Sequence, residues 1–548
     1  MKRRFCLIMC LFAIVLLARA RDWHYENEML TEAERDEITL RQHGGRPAPE
    51  IEEGYCLLVN GWYGRQQNNS MQWNTKSPEL FSKIDLKLEL GIRQGGEGAG
   101  ILLVPDTLAI NDSIRWEQPN LPGVFALGID IYNPPTSNWF DANGNYYGNP
   151  EREISLHWDG VEYIKKLSDF EFRQVGDNED SYVWQLNIEY VCGGADVSLS
   201  IHDNVIYDKF FIPGMIPYKF IPLVGGYNGV VSSPLYIGSL EINASERMIL
   251  PEPPLKIELF SDEIMYGGNR DSEFTVDFSS IPKNMGRAIL TLDLAGAPGG
   301  LDPWDEGAFI SLAAPAGDFK ICRFITPYLK AYQWKVDVTD FLPLFENTVS
   351  GTLHVDTWMK TAENPAEQAG WSISSWIDFY EGDLEYVPYR IENLWVGNFE
   401  YGDPAHPMEL DFPDLLKVKP SDCDKAKVRM FVTGHGMSPN TDIAAEFMPA
   451  DRVFAINGYE FENKLWKEDC YLNPCRPQGG TWKFKRAGWA PGSIVEPWEF
   501  DISEYIVEQD TLKFSYVPMA YRNFGKAKDV YPPHHSVDCH IIYYKENK

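Results

Sequence analysis

One pattern constrains the fold more than any other. From Tyr55 onward, short runs rich in β-branched and aromatic residues recur, and clusters of Gly, Asn, Asp and Pro separate them. Ile101-Leu102-Leu103-Val104, Glu153-Ile154-Ser155-Leu156-His157-Trp158 and Ala288-Ile289-Leu290-Thr291-Leu292 are examples. Lys427-Val428-Arg429-Met430-Phe431-Val432 and Leu512-Lys513-Phe514-Ser515-Tyr516 alternate apolar and polar positions, as half-buried strands do. No long amphipathic helix and no short-period repeat interrupts them, so the chain reads as all-β, built of sandwiches. At roughly 100–200 residues per domain, its 548 residues suggest three or four domains. Pro251-Glu252-Pro253-Pro254 cannot join a central strand and marks a stiff linker over 248–258. The expected β-rich regions are therefore 51–247, 259–387 and 388–548. Residues 21–50 are charged and lack periodicity, which reads as a leader or linker.

Residues 1–20 have the form of a signal peptide: Lys2, Arg3 and Arg4, then the apolar run from Phe5 to Leu17, then Ala18-Arg19-Ala20. An exported protein, periplasmic, cell-surface or secreted, is expected, with no membrane span in the mature chain. The formal net charge of −31 repels phosphate backbones and anionic membranes, so nucleic acid is excluded as a partner. Export permits disulfides, but of nine cysteines Cys6 and Cys10 fall in the leader, and the remainder is odd in number. Cys470 and Cys475 flank the turn-forming Tyr471-Leu472-Asn473-Pro474 and are the expected pair. No Cys/His zinc spacing occurs, and no cofactor is expected. Aromatic residues make up 14% of the chain, a surplus that serves either sandwich cores or sugar-stacking clefts.

Six segments in order narrow the choice. They are Arg323-Phe324-Ile325-Thr326-Pro327-Tyr328, Val336-Asp337-Val338-Thr339-Asp340-Phe341 and His354-Val355-Asp356-Thr357-Trp358, then Thr433-Gly434-His435-Gly436, Ala445-Glu446-Phe447 and Arg486-Ala487-Gly488-Trp489-Ala490-Pro491-Gly492. In order and spacing, residues 260–543 resemble the peptide-N-glycosidase F family. That resemblance implies two adjacent jelly rolls and an amidase that cuts the Asn side-chain amide of N-glycosylated proteins or glycopeptides. It would leave Asp on the peptide and release the sugar as a glycosylamine.

By this resemblance Asp305, which follows Trp304 directly, inherits the role of main catalytic aspartate. The chemistry suits it: a water poised against a carbonyl carbon needs a base, and a carboxylate beside an indole gains basicity in a dry cleft. Without the resemblance, Gly299, Gly300, Asp302 and Pro303 read as an ordinary turn. Glu446 matches a family glutamate facing that aspartate. Asp356 stands where the family has a glutamate, one methylene longer, and inherits its supporting catalytic role as a glycan or water contact; otherwise it is a solvent-facing acid. Arg486 would clamp sugar or stabilise charge on the amide oxygen; otherwise it is a strand-surface arginine. Trp304, Trp358 and Trp489 are either sugar platforms or core. The chain departs from the family pattern at two expected substrate-binding positions: Glu306 replaces a basic residue, which reverses the charge near the sugar and would change substrate preference, and His435 replaces a tryptophan. Ala490 and Leu301 replace cysteines, which removes the family's bridge to Cys470 and leaves Cys475 as its local partner.

Gly128-Ile129-Asp130-Ile131-Tyr132-Asn133, Glu153 to Gly160 and Gly225-Gly226-Tyr227-Asn228-Gly229 resemble a legume-lectin (concanavalin A-like) sandwich. The resemblance implies an N-terminal glycan-binding domain. Asp130, Asn133 and Asp141 would be its calcium ligands if it held calcium; otherwise they serve in turns. Two other classes compete. Paired carboxylates in an aromatic cleft also suit a glycoside hydrolase. A non-catalytic glycan-binding protein would use the same acids only to hold sugar. A copper site is disfavoured, since the only adjacent histidines are His534 and His535.

Overall fold

The computed structural model describes residues 22–60, 66–92, 98–109, 114–131, 152–168, 182–202, 204–229, 234–406, 408–436, 438–507, 510–524 and 532–547. The proposed leader at 1–20, Asn133 and Asp141 lie outside these residues. Strands dominate, all pairs are antiparallel, and no described helix is long and apolar enough to cross a membrane.

The first compact unit runs to Glu252. An eight-stranded and a seven-stranded sheet face each other across an apolar core that includes Leu88, Phe125, Trp184 and Ile242. The alternation is direct in Tyr182–Val191, where every second side chain is buried. Asp130 closes the strand Phe125–Asp130, in register with Gly98 and Glu153. The leader reading of 21–50 is corrected here. Trp23–Asn27 pairs with Leu235–Arg247, and Ile38–Gly45 pairs with Gln67–Trp73. Between them Thr31 caps a short helix, Glu32–Asp36, in a reciprocal capping box with Glu34. Both strands find partners remote in sequence, and Ile38–Gly45 is half-exposed along its length, so no alternation marks them.

The second unit begins at Pro253 and contains two jelly-roll sandwiches. Leu255 already belongs to a strand, Leu255–Met265, which cuts into the expected linker. In the first sandwich, a sheet ordered Leu255–Met265, Trp371–Glu381, Met285–Gly296, Tyr332–Asp337 packs on one ordered Asp271–Asp277, Thr348–Val355, Gly307–Ala314, Gly317–Ile325. The second pairs Tyr386–Glu400, His534–Glu546, Lys425–His435 and Trp498–Asp501 against Leu415–Val418, Thr511–Pro518, Ala450–Ile456 and Tyr459–Leu465.

Several contacts join the two sandwiches. Ser493–Ile494, from the second, adds to Gly317–Ile325 of the first. Phe431, Trp489, Val495 and Ile542 extend the first sandwich's core. Arg323 is buried against Asp538 (3.0 Å), the Thr433 hydroxyl (2.9 Å) and the Ser536 carbonyl (3.1 Å). Lys427 (2.5 Å) and Arg429 (3.2 Å) close on Asp340. A shared apolar core makes relative motion of these two sandwiches costly, so a cleft between them keeps its shape. Because this unit has its own cores, a chain beginning at Pro253 is expected to fold alone. Near-ultraviolet circular dichroism and a cooperative urea transition check this; a non-cooperative melt would contradict it.

Candidate active site

Between the two sandwiches lies a cleft of about 1180 Å³. The first sandwich contributes the loop before Gly307–Ala314, which carries Trp304, Asp305 and Glu306, and the segment after Thr348–Val355, which carries Asp356 and Trp358. The second contributes His435, Glu446, Arg486 and Trp489. The expected residues thus converge, but their roles differ from one another.

Arg486 organises the floor. It is 2% exposed. Its Nη1 donates to the Thr481 carbonyl (3.2 Å), and its Nη2 donates to the Thr481 hydroxyl (2.7 Å) and to Asp305 Oδ2 (3.3 Å). Its Nε donates to Glu446 Oε1 (3.4 Å). One guanidinium therefore holds an acid from each sandwich. With four protein acceptors engaged, Arg486 positions the acids rather than gripping sugar. It lies over the rings of Trp489 (4.4 Å) and Phe447 (5.3 Å).

Both acids are mostly buried. Burial pushes the Asp305 carboxyl above the usual aspartate range, while Tyr328 and Arg486 oppose the shift. Burial also raises Glu446, helped by the Asp305 charge and opposed by Arg486. The Tyr328 hydroxyl reaches both Asp305 and the Thr481 hydroxyl (3.1 Å). Glu446 sits on the short helix Ala444–Phe447, entered through Asp442 (φ 51°) and Ile443 (φ 55°). Two non-glycine residues in the left-handed region, one of them β-branched, store strain that commonly accompanies functional loops. Gly434 lets this helix close on its strand, since a Cβ there would meet the Ala445 carbonyl at 1.9 Å.

Asp356 stands apart from this pair. It is exposed and bonds Arg270 Nη1 (2.8 Å), and Arg270 lies 5.0 Å from the Trp358 ring centre. Trp304 and Trp358, at 56% and 57% exposure, offer open ring faces at the mouth. Trp489 does not: it is 4% exposed, and its Nε1 donates to the Gly434 carbonyl (3.0 Å). Its expected place as a sugar platform gives way to one as a buried support for Arg486 and for His435, whose ring stacks on it at 5.4 Å. His435 bonds the Thr433 hydroxyl (2.7 Å), and burial holds it well below the usual histidine range. His535, one of the adjacent histidines, is fully buried against Tyr401 and away from the cleft lining.

The expected bond between Cys470 and Cys475 is absent. Both are buried thiols, and the Cys470 sulfur turns toward the carbonyls of Lys467 (3.4 Å) and Trp489 (3.6 Å). The Cys475 sulfur packs by Gly492, 3.0 Å from where a Cβ would stand. Sequence reading gave Asp302 only a place in a turn and assigned no role to Arg270, Tyr328 and Thr481. Asp302 is fully buried and accepts from the Thr357 hydroxyl (2.6 Å) and the Trp304 amide (3.0 Å), stapling the loop that carries Asp305. Arg270, Tyr328 and Thr481 lie far from the acids in sequence; Tyr328 alone had a signal, as the end of the Arg323 segment.

Residues 413–530 match the family model described as peptide-N-glycosidase F, C terminal. That match spans most of the second jelly roll and about a fifth of the chain. Glu446 and Arg486 lie inside the matched segment, whereas Asp305, Glu306 and Asp356 lie outside it. Among solved structures, similarity extends to PNGase F, a glycosylasparaginase from Flavobacterium meningosepticum (TM-score 0.46, 21% identity, 54% of this chain and 97% of that one). It extends also to PNGF-II (TM-score 0.40, 11% identity, 85% and 100%). The exoplasmic/lumenal domain of VIP36, in a form bound to Ca²⁺ and Man3GlcNAc, matches with a TM-score of 0.30, 16% identity and coverage of 42% and 93%. No curated protein sequence matches.

Proposed function

We propose that the chain hydrolyses the Asn side-chain amide of N-glycosylated proteins or glycopeptides. One observation carries the reading: Arg486 holds Asp305 and Glu446, one acid from each sandwich, on the floor of a cleft whose mouth bears two exposed tryptophans. In this reading Asp305 takes a proton from water as the water oxygen adds to the amide carbonyl carbon. The C–N bond then breaks, and Glu446 passes a proton to the departing nitrogen. Burial suits both acids to the work, since a raised carboxyl is a better base when ionised and holds a proton longer when not. The glycosylamine leaves, and the peptide keeps an aspartate. The leader-like start supports placing the enzyme outside the cytoplasm, where such substrates occur.

Trp304 and Trp358 supply the sugar platform. Losing one stacked ring removes about 1 kcal/mol, or roughly a fivefold change in binding. Trp304→Ala and Trp358→Ala are each expected to raise KM by about that factor with kcat nearly unchanged. A fall in kcat with KM constant would remove them from the platform.

The same cleft could be read as that of a glycoside hydrolase, and substrate choice separates the two. The protein is expected to act on a glycopeptide carrying a single N-linked glycan and to leave reducing oligosaccharides of N-acetylglucosamine intact. Cleavage of the free oligosaccharide, with the glycopeptide's first sugar left in place, would overturn the amidase reading.

A further inference from the structure

Glu306 stands out among the cleft residues. Its backbone is fixed on both sides: its N–H donates to the Thr326 hydroxyl (2.8 Å), and its carbonyl accepts from the Thr326 amide (3.0 Å). Its side chain lines the cleft, yet the residue is only 7% exposed, and Oε1 is buried without a hydrogen-bond partner. Asp302 and Asp305 face it from its own loop, Asp356 from the segment after Thr348–Val355, and Arg270 from the start of the Asp271–Asp277 strand. His354, nearby in the lining, is occupied by Asp271 (2.7 Å). The facing cation is engaged too: Arg270 bonds Asp356 (2.8 Å) and the Thr357 carbonyl (2.8 Å).

An ionised Glu306 would be desolvated, unpaired and repelled by three carboxylates. The acid form removes both penalties and gives the side chain an O–H to donate. Burial, then the charges of Asp302, Asp356 and Asp305, push its carboxyl up to about 8 against the pull of Arg270.

We infer that Glu306 is a further substrate-contacting residue of this cleft, a neutral carboxylic acid that donates a hydrogen bond to an amide carbonyl oxygen of the bound glycopeptide. The inference rests on the amidase reading for its substrate. The two such oxygens nearest the scissile bond are those of the scissile amide and of the acetamido group on the first sugar. A loss confined to kcat would mark the former, and a rise confined to KM the latter.

Three chains test it: the parent, Glu306→Gln, which keeps a donor that does not titrate, and Glu306→Ala. The parent's kcat/KM is expected to fall about tenfold per pH unit above about 8, as the donor is lost. Glu306→Gln should stay level through that range, and Glu306→Ala should be at least about tenfold weaker than the parent below about pH 8 and lack its alkaline fall. A Glu306→Gln chain that keeps the parent's alkaline fall, or a Glu306→Ala chain within about twofold of the parent below about pH 8, would overturn the inference.

Infrared difference spectra make the protonation test independent of activity. The carbonyl stretch of a protonated carboxyl should be present in the parent at about pH 6, gone by about pH 9, and missing from Glu306→Gln. Its absence from the parent at the lower pH overturns the inference whatever the activity. If the parent releases no glycan, binding of an N-glycopeptide to Asp305→Asn, with and without Glu306→Ala, decides. A roughly tenfold loss of affinity upholds the contact while the amidase reading alone fails. Unchanged affinity, or no binding at all, overturns the contact.

Discussion

Asp305→Asn is expected to slow glycan release by about 10²–10⁴, the usual range for loss of a general base, with the fold unchanged. The substitution keeps the side-chain shape and can still meet Arg486 Nη2 and the Tyr328 hydroxyl, but an amide cannot take a proton from water. Trp304 and Trp358 stay exposed at the mouth, so glycopeptide binding should survive, which separates chemistry from recognition. Single-turnover kinetics beside calorimetric binding give both numbers. Asp302 cannot take over, because its oxygens are held by Thr357 and Trp304 and it is fully buried. Near-parental release by Asp305→Asn would therefore leave this cleft without its base.

Arg486→Met should be more damaging, since it removes both the tie between the acids and their compensating charge. Asp305 and Glu446 would face each other in a largely buried floor without the cation that pairs them. Removing one partner of a buried ion cluster typically costs about 3–5 kcal/mol. The sign with pH follows from the raised carboxyls. Without Arg486 they rise further, so the folded protein binds protons that the unfolded chain has already released. The penalty is then full at neutral pH and shrinks as pH falls and both acids become neutral. Urea unfolding at two pH values measures it. Arg486→Lys should recover little rate, because an ammonium cannot reproduce the fork that reaches Thr481, Asp305 and Glu446 at once. Equal destabilisation at low and neutral pH would show that lost packing on Trp489 and Phe447, not lost charge, dominates.

Local patterning made the strands legible. Tyr182–Val191 and Trp371–Glu381 alternate buried and half-buried side chains, and that period is written in their residues. Trp23–Asn27 and Ile38–Gly45 were hidden because their pairing lies in strands far along the chain. The site divides in the same way. Family order led to Asp305, Glu446 and Arg486, but the role of Arg486 depends on Asp305, 181 residues away, and on Glu446, 40 residues away. No window of sequence contains that geometry. Trp304 and Trp489 look alike as residues, yet one is open and the other buried, since exposure is set by the packing of the sandwiches. Cys470 and Cys475 are near in sequence, but their sulfurs are turned to other neighbours.

The most direct test of the amidase account is the destination of the water oxygen. An N-glycopeptide should be digested in heavy-oxygen water and both products weighed. Attack at the side-chain carbonyl puts the label into a new aspartate carboxyl on the peptide and leaves the glycosylamine, when first released, unlabelled. A peptide that stays unlabelled and keeps its first sugar, with the label on the freed glycan, would contradict the account.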